Sequence, residues 1–145
     1  MTETKNPKVA VDLVPGQSIG PIHIGMTRGD LAKVGLEVKP HPSGQLGENV
    51  RVVGPYQVVL DGEKVASIEI KLGDLPGGVA VAGRMIPAGA ALEQITNALP
   101  DCGRAEAREG GTVVTCAGGT TLVKLGADGA GGVELQIVAR DFLTP

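Results

Sequence analysis

Ile22-His23-Ile24-Gly25-Met26-Thr27-Arg28-Gly29-Asp30-Leu31 is the stretch at which the chain changes period. Ile19-Gly20-Pro21-Ile22-His23-Ile24 reads as extended backbone, and past Gly25 the apolar spacing becomes helical. A helix is expected to start at Thr27. Its hydroxyl can accept from an orphan amide of the first turn, and Asp30 can reach back while favouring the positive end of the helix dipole. Leu31 and Val34 then share one face, and Gly35 is well placed to end a short helix.

Working outward, residues 1–13 begin polar and turn alternating at Val9-Ala10-Val11-Asp12-Leu13, which suggests a flexible tail leading into an edge strand. Beyond the loop at Pro40-His41-Pro42-Ser43-Gly44, Val50–Val53 and Tyr56–Leu60 read as strands. Asp61-Gly62 tolerates the positive φ of a tight turn, and Val65–Leu72 returns with apolar residues mostly at alternate positions. Asp74-Leu75-Pro76-Gly77-Gly78 reads as a junction, after which the order repeats. Ala91–Leu99 gives a second helix with Leu92, Ile95 and Leu99 on one stripe and Pro100 at its end. Thr112–Cys116, Thr121–Leu125 and Val133–Val138 give further strands, with Asp128-Gly129 mirroring Asp61-Gly62, and Leu31/Val34 map onto Leu92/Ile95. The expectation is an α+β fold of two tandem repeats, each a helix plus antiparallel strands, over residues 14–78 and 79–145. Either half alone buries too little apolar surface to fold, so the two should form one sheet with short helices on one face.

A chain of 145 residues fits one domain, and its 42% hydrophobic content is almost all Val, Leu, Ile and Ala. Tyr56 and Phe142 are the only aromatic residues. The 23 glycines and 10 prolines fall between short β-branched runs, as turns in an antiparallel sheet protein do. A net charge of −3 without a Lys/Arg run offers no footprint for nucleic acid. No apolar stretch approaches the ~20 residues of a membrane span, and Met1–Pro7 lacks the apolar core of a signal peptide. The chain as written is therefore expected to be soluble and cytoplasmic, or periplasmic or secreted if a leader has been removed. Cys102 and Cys116 bracket a short segment containing Gly103 and Gly110-Gly111. In an oxidising compartment a disulfide closing such a loop contributes about 3 kcal/mol; in a reducing one the two are ordinary small apolar residues.

Nucleophilic catalysis needs a base within reach, and only His23 and His41 are on offer. His23, between Ile22 and Ile24, reads as a solvated or partner-facing residue, and His41, between two prolines, as an exposed loop residue. Cys102 and Cys116 lack the nearby His a zinc site would want. Asp61 and Asp128 each precede a turn glycine, and neither Gly77-Gly78 nor Gly129-Ala130-Gly131-Gly132 is followed by the Gly-Lys-Ser/Thr of a phosphate loop. No catalytic residue, metal or cofactor is expected. Glu63-Lys64 and Glu69 with Lys71 read either as the wet side of a strand or as a recognition surface.

The run Ile22-His23-Ile24-Gly25-Met26-Thr27-Arg28, followed by a short helix, a hairpin and a divergent second copy, resembles the β-lactamase-inhibitor-protein-like family. The resemblance covers most of the chain in element order and is close in letters only at Gly-Met-Thr-Arg. It implies tandem repeats of a helix with a four-stranded antiparallel sheet and a concave sheet face that clasps a protein target. It also implies a disulfide after the helix, where the second repeat holds Cys102 and Cys116. A similar Gly-Met-Thr helix start occurs in small lipoproteins of the outer-membrane assembly machinery, whose lipidated N-terminal cysteine is absent here. The function expected on these grounds is a non-catalytic, bacterial protein-binding module, an inhibitor or immunity-type protein holding its partner through the sheet face. Tyr56, Arg51, Glu69 and Lys71 are the expected contact residues. The alternative is a homo-oligomeric structural or cell-envelope component, suggested by open sheet edges and Val-rich strands.

Overall fold

A computed structural model describes residues 10–40, 49–108, 111–126 and 132–139. The chain is α+β, mostly sheet with two short helices. Helix α1 (Arg28–Ala32) begins as its sequence dictates: Thr27 Oγ1 accepts from the Asp30 amide at 3.1 Å and Asp30 Oδ2 accepts from the Thr27 amide at 3.2 Å. In helix α2 (Leu92–Thr96) Ala91 holds the capping position and cannot accept, so only the return bond survives, from the Ala91 amide to Gln94 Oε1 at 3.0 Å. These caps align Thr27 with Ala91 and the buried Leu31 with the buried Ile95, one turn away from the expected match of Leu31 to Leu92.

The strands are β1 (Val11–Val14), β2 (Ser18–Ile19), β3 (Ile22–His23), β4 (Val38–Pro40), β5 (Val50–Val53), β6 (Tyr56–Asp61) and β7 (Lys64–Lys71). Then follow β8 (Val79–Val81), β9 (Arg84–Ile86), β10 (Glu106–Arg108), β11 (Gly111–Cys116), β12 (Thr121–Gly126) and β13 (Val133–Val138). They form two sheets, which corrects the expectation of one. A five-stranded sheet runs β3-β2-β1-β8-β9, and an eight-stranded antiparallel sheet runs β10-β11-β12-β13-β7-β6-β5-β4. The large sheet is continuous because β7 and β13 pair antiparallel, with Glu69 opposite Gln136. In the small sheet β1 pairs parallel with β8, so it is an interior strand and not the expected edge.

Two misreadings explain the second sheet. Ile19–Ile24 is no single extended segment: Gly20 takes φ +57° and, with Pro21, folds β2 onto β3 so that Ile19 faces Ile22. The Gly54-Pro55 step between β5 and β6 uses the same device, again with Gly54 at φ +57°. Residues 79–86 form the hairpin β8–β9, whose three-residue strands are too short to display a period.

The core lies between the sheets. Val58, Ile68, Ile70, Val123, Leu135 and Ile137 from the large sheet meet Leu13, Ile19, Ile22, Val79 and Ile86 from the small one, with Leu31 and Ile95 added by the helices. The Gly25–Arg28 corner ties the layers together. The Gly25 amide donates to the Val65 carbonyl, the Val65 amide to the Met26 carbonyl, both at 2.8 Å, and Arg28 Nε pairs with Glu63 Oε1 at 3.3 Å. Cys102 and Cys116 are joined in a disulfide that fastens the segment after α2 to the end of β11. His41, Asp128-Gly129, Phe142 and the tail over residues 1–9 lie outside the described residues.

Candidate functional site on the outer face of the large sheet

Strand register sorts side chains between the two faces of the eight-stranded sheet, because directly opposed residues point the same way. Val114, Val123, Leu135 and Ile70 form one row toward the core. The outer face carries the intervening rows. One runs Val113, Lys124, Glu134, Lys71 across β11, β12, β13 and β7. The next runs Thr115, Leu122, Gln136, Glu69, Gln57, Val52, Lys39 from β11 to β4. Most of these side chains are half-buried, and the charged ones alternate in sign at the centre.

The contacts there cross between rows. Lys124 Nζ donates to Glu69 Oε2 at 3.3 Å, with the two side chains 32% and 22% exposed. Gln136 Nε2 donates to Ser67 Oγ at 2.9 Å, and Ser67 is itself buried. Glu134 stands between Lys124 and Lys71 in register, with Glu69 on the diagonal, opposite Gln136. Partial desolvation, and then the Glu69 charge, push the Glu134 carboxyl above the usual carboxylate range against the opposing pull of Lys124 and Lys71. Beside this cluster lies a shallow depression of about 150 Å³ whose lining includes Pro55, Gln57, Glu69, Lys71, Asp74 and Glu134.

The four expected contact residues part company. Glu69 and Lys71 fall within this cluster, on the outer face. Tyr56 does not: it is 3% exposed, packed beneath the Gly20 turn so closely that any side chain at position 20 would strike its hydroxyl. Burial also pushes its phenol above the ordinary value. Its expected place on the surface is therefore corrected, because its in-register partner Val53 sets it on the core side. Arg51 pairs with Val58, also on the core side, and its Nη1 donates to the Val50 carbonyl at 3.1 Å. Lys124, Glu134, Gln136 and Leu122 were missed. Alternation in β12 and β13 places each on the solvent side, but nothing in one dimension says that these strands lie against β7.

A larger concavity of about 510 Å³ lies between β1, β8 and the chain just after α2, walled by Leu13, Val14, Val81, Ala82, Leu99 and Pro100. Its walls carry no titratable side chain and offer shape without chemistry. Among the described residues no three His, Cys, Asp or Glu side chains are grouped to hold a metal ion, and no helix is long and apolar enough to cross a membrane. His23 is exposed at the end of β3, its amide donating to Met26 Sδ at 3.1 Å. Comparison with family models, curated proteins and solved structures gave no match. The reading of this face therefore rests on its geometry.

Proposed function

We propose that this chain is a non-catalytic protein-binding module that engages a partner through the outer face of its eight-stranded sheet, in the manner of an inhibitor or immunity protein. The observation that carries the reading is the make-up of that face. The helices and the small sheet contribute their buried side chains to the core on the other side, leaving a broad surface of half-buried Val113, Leu122, Val52 and Gln57 around the Lys124–Glu69 pair. Apolar groups that remain partly wet gain from a second surface, and charges of alternating sign set orientation and register. The eight-stranded sheet has four strands on either side of the β7–β13 seam, and on this reading it is that sheet's face that holds the partner, as the sequence resemblance to the β-lactamase-inhibitor-protein-like family implies.

The test compares wild type with the double variant Leu122→Asp/Gln57→Arg, which changes only partly exposed outer-face positions. Affinity capture from the source cells with mass-spectrometric identification runs beside light scattering of the pure protein. One stoichiometric heterologous partner, bound by wild type at least tenfold more tightly than by the folded variant, is the expected result. A partner bound equally by both moves the site elsewhere on the molecule. A homo-oligomer without another partner replaces the reading with that of a self-assembling structural component.

A further inference from the structure

The concavity between β1, β8 and the chain after α2 is held open by fastened walls. Its lining is entirely aliphatic side chains and prolines, and none of them belongs to the eight-stranded sheet. On one side the Ala117 amide donates to the Pro100 carbonyl at 2.8 Å, and the Cys102–Cys116 disulfide lies just beyond. On the β1 side, Gly16 packs against Thr120 so closely that a Cβ there would strike the threonine hydroxyl. Ala82, also in the lining, is held at φ +51° in a two-residue hairpin turn where Gly, Asn or Asp is the usual choice. The turn thus keeps an apolar methyl there against its backbone preference. Val14 lines the same space and stays 40% exposed, a large apolar side chain that the fold leaves uncovered. At about 510 Å³ the space falls within the roughly 300–1,000 Å³ of small-molecule sites.

A cation stands at its rim. Arg84 opposes Val81 of the lining across the β8–β9 hairpin, and its Nη1 donates at 3.2 Å to the carbonyl of Asn97, the residue before Ala98 of the lining. Among the described residues no carboxylate pairs with Arg84. A guanidinium has five N–H donors, so this one bond leaves others for an anion. The walls decide what accompanies the anion. A peptide would bring backbone N–H and C=O groups against side chains that cannot pair them, at a desolvation cost for each. A saturated hydrocarbon chain brings none.

We propose that this concavity binds an aliphatic monocarboxylate, its alkyl chain against the apolar walls and its carboxylate at the Arg84 guanidinium. The site lies off the outer face of the large sheet, so it does not rest on reading that face as a docking surface.

The test is an amide NMR titration of the full, oxidised chain with octanoate at neutral pH, and with 1-octanol as the neutral comparison. Saturable one-to-one binding is expected, with shifts centred on β1, β8 and residues 98–100. Ala98→Phe, which fills the space, and Val14→Asp, which sets a like charge in the lining, should each abolish it. Arg84→Gln should weaken octanoate by roughly threefold, the size of a solvent-exposed charge pair, and leave 1-octanol unchanged. Spectra matching wild type certify that each variant is folded. Octanoate that does not saturate, or that shifts residues elsewhere, would overturn the proposal. So would binding that survives either lining substitution in a folded variant, or an Arg84→Gln effect that is absent or equal for the two probes.

Discussion

Thr121→Val should stabilise this protein. Thr121 opens β12 on the core side of the large sheet, opposite Cys116 and Ile137, and it is 0% exposed. Its Oγ1 is a buried polar side-chain atom with no hydrogen-bond partner. Burying a hydroxyl without a partner costs about 1–3 kcal/mol, and valine keeps the volume, the branch at Cβ and the strand preference while removing the group that carries the cost. A gain of about 1–2 kcal/mol is expected, and for a chain of this length each kcal/mol raises Tm by roughly 2–4 °C. Urea unfolding at constant slope, with Thr121→Ser as the control, reads it out. Serine keeps the hydroxyl and loses the methyl, so it should be less stable than wild type. If valine instead destabilised the fold while serine was tolerated, the hydroxyl would be making a bond to buried water that outweighs its desolvation, and the reasoning would be wrong.

Replacing both Cys102 and Cys116 by Ala should lower stability by about 3 kcal/mol in the chain-entropy model, read by urea unfolding beside the oxidised wild type. The fold should persist, because the Gly103 amide still donates to the Thr115 carbonyl at 2.9 Å and the Ala117 amide to the Pro100 carbonyl at 2.8 Å. Glu134→Gln addresses pH. A carboxyl raised in the folded state contributes stability that is complete below its unfolded value and is lost as pH rises through its folded value. The glutamine variant should therefore be more stable than wild type at neutral pH, by less than about 1 kcal/mol given how far the side chain is solvated, and the difference should vanish or reverse in acid. Thermal melts from pH 4 to 8 test this; a glutamine variant less stable at neutral pH would contradict it.

What could be read in one dimension was whatever local chemistry decides. The Thr27 and Asp30 cap and the long alternating strands are choices made within a few residues, and they appear where expected, whereas the helix stops at Ala32 with Lys33 as its C-cap, before the expected stop at Gly35. The second sheet escaped because its strands are two to four residues long and its parallel β1–β8 pairing joins segments far apart in the chain. Tyr56 was misassigned for a related reason. An aromatic residue at the start of a strand carries no mark of which face is inside; its register with Val53 turns it to the core side, and the Gly20 turn closes against its hydroxyl. Glu69 and Lys71 were visible as charges on a strand, but their neighbours Lys124 and Glu134 come from the other end of the chain.

The centre of the outer face is also the part of the sheet least suited to stability alone. Straight in-register pairing of Glu134 between Lys124 and Lys71 would satisfy three charges at once, and a Gln at position 69 would remove the like-charge contact. The chain instead commits Lys124 to Glu69, sets a desolvated carboxyl beside another, and surrounds both with apolar groups that water still reaches. Departures of this kind from local optimality gather where a surface is shaped by something other than folding. On the proposed docking reading, a bound partner completes that desolvation and supplies the counter-charge that Glu134 lacks.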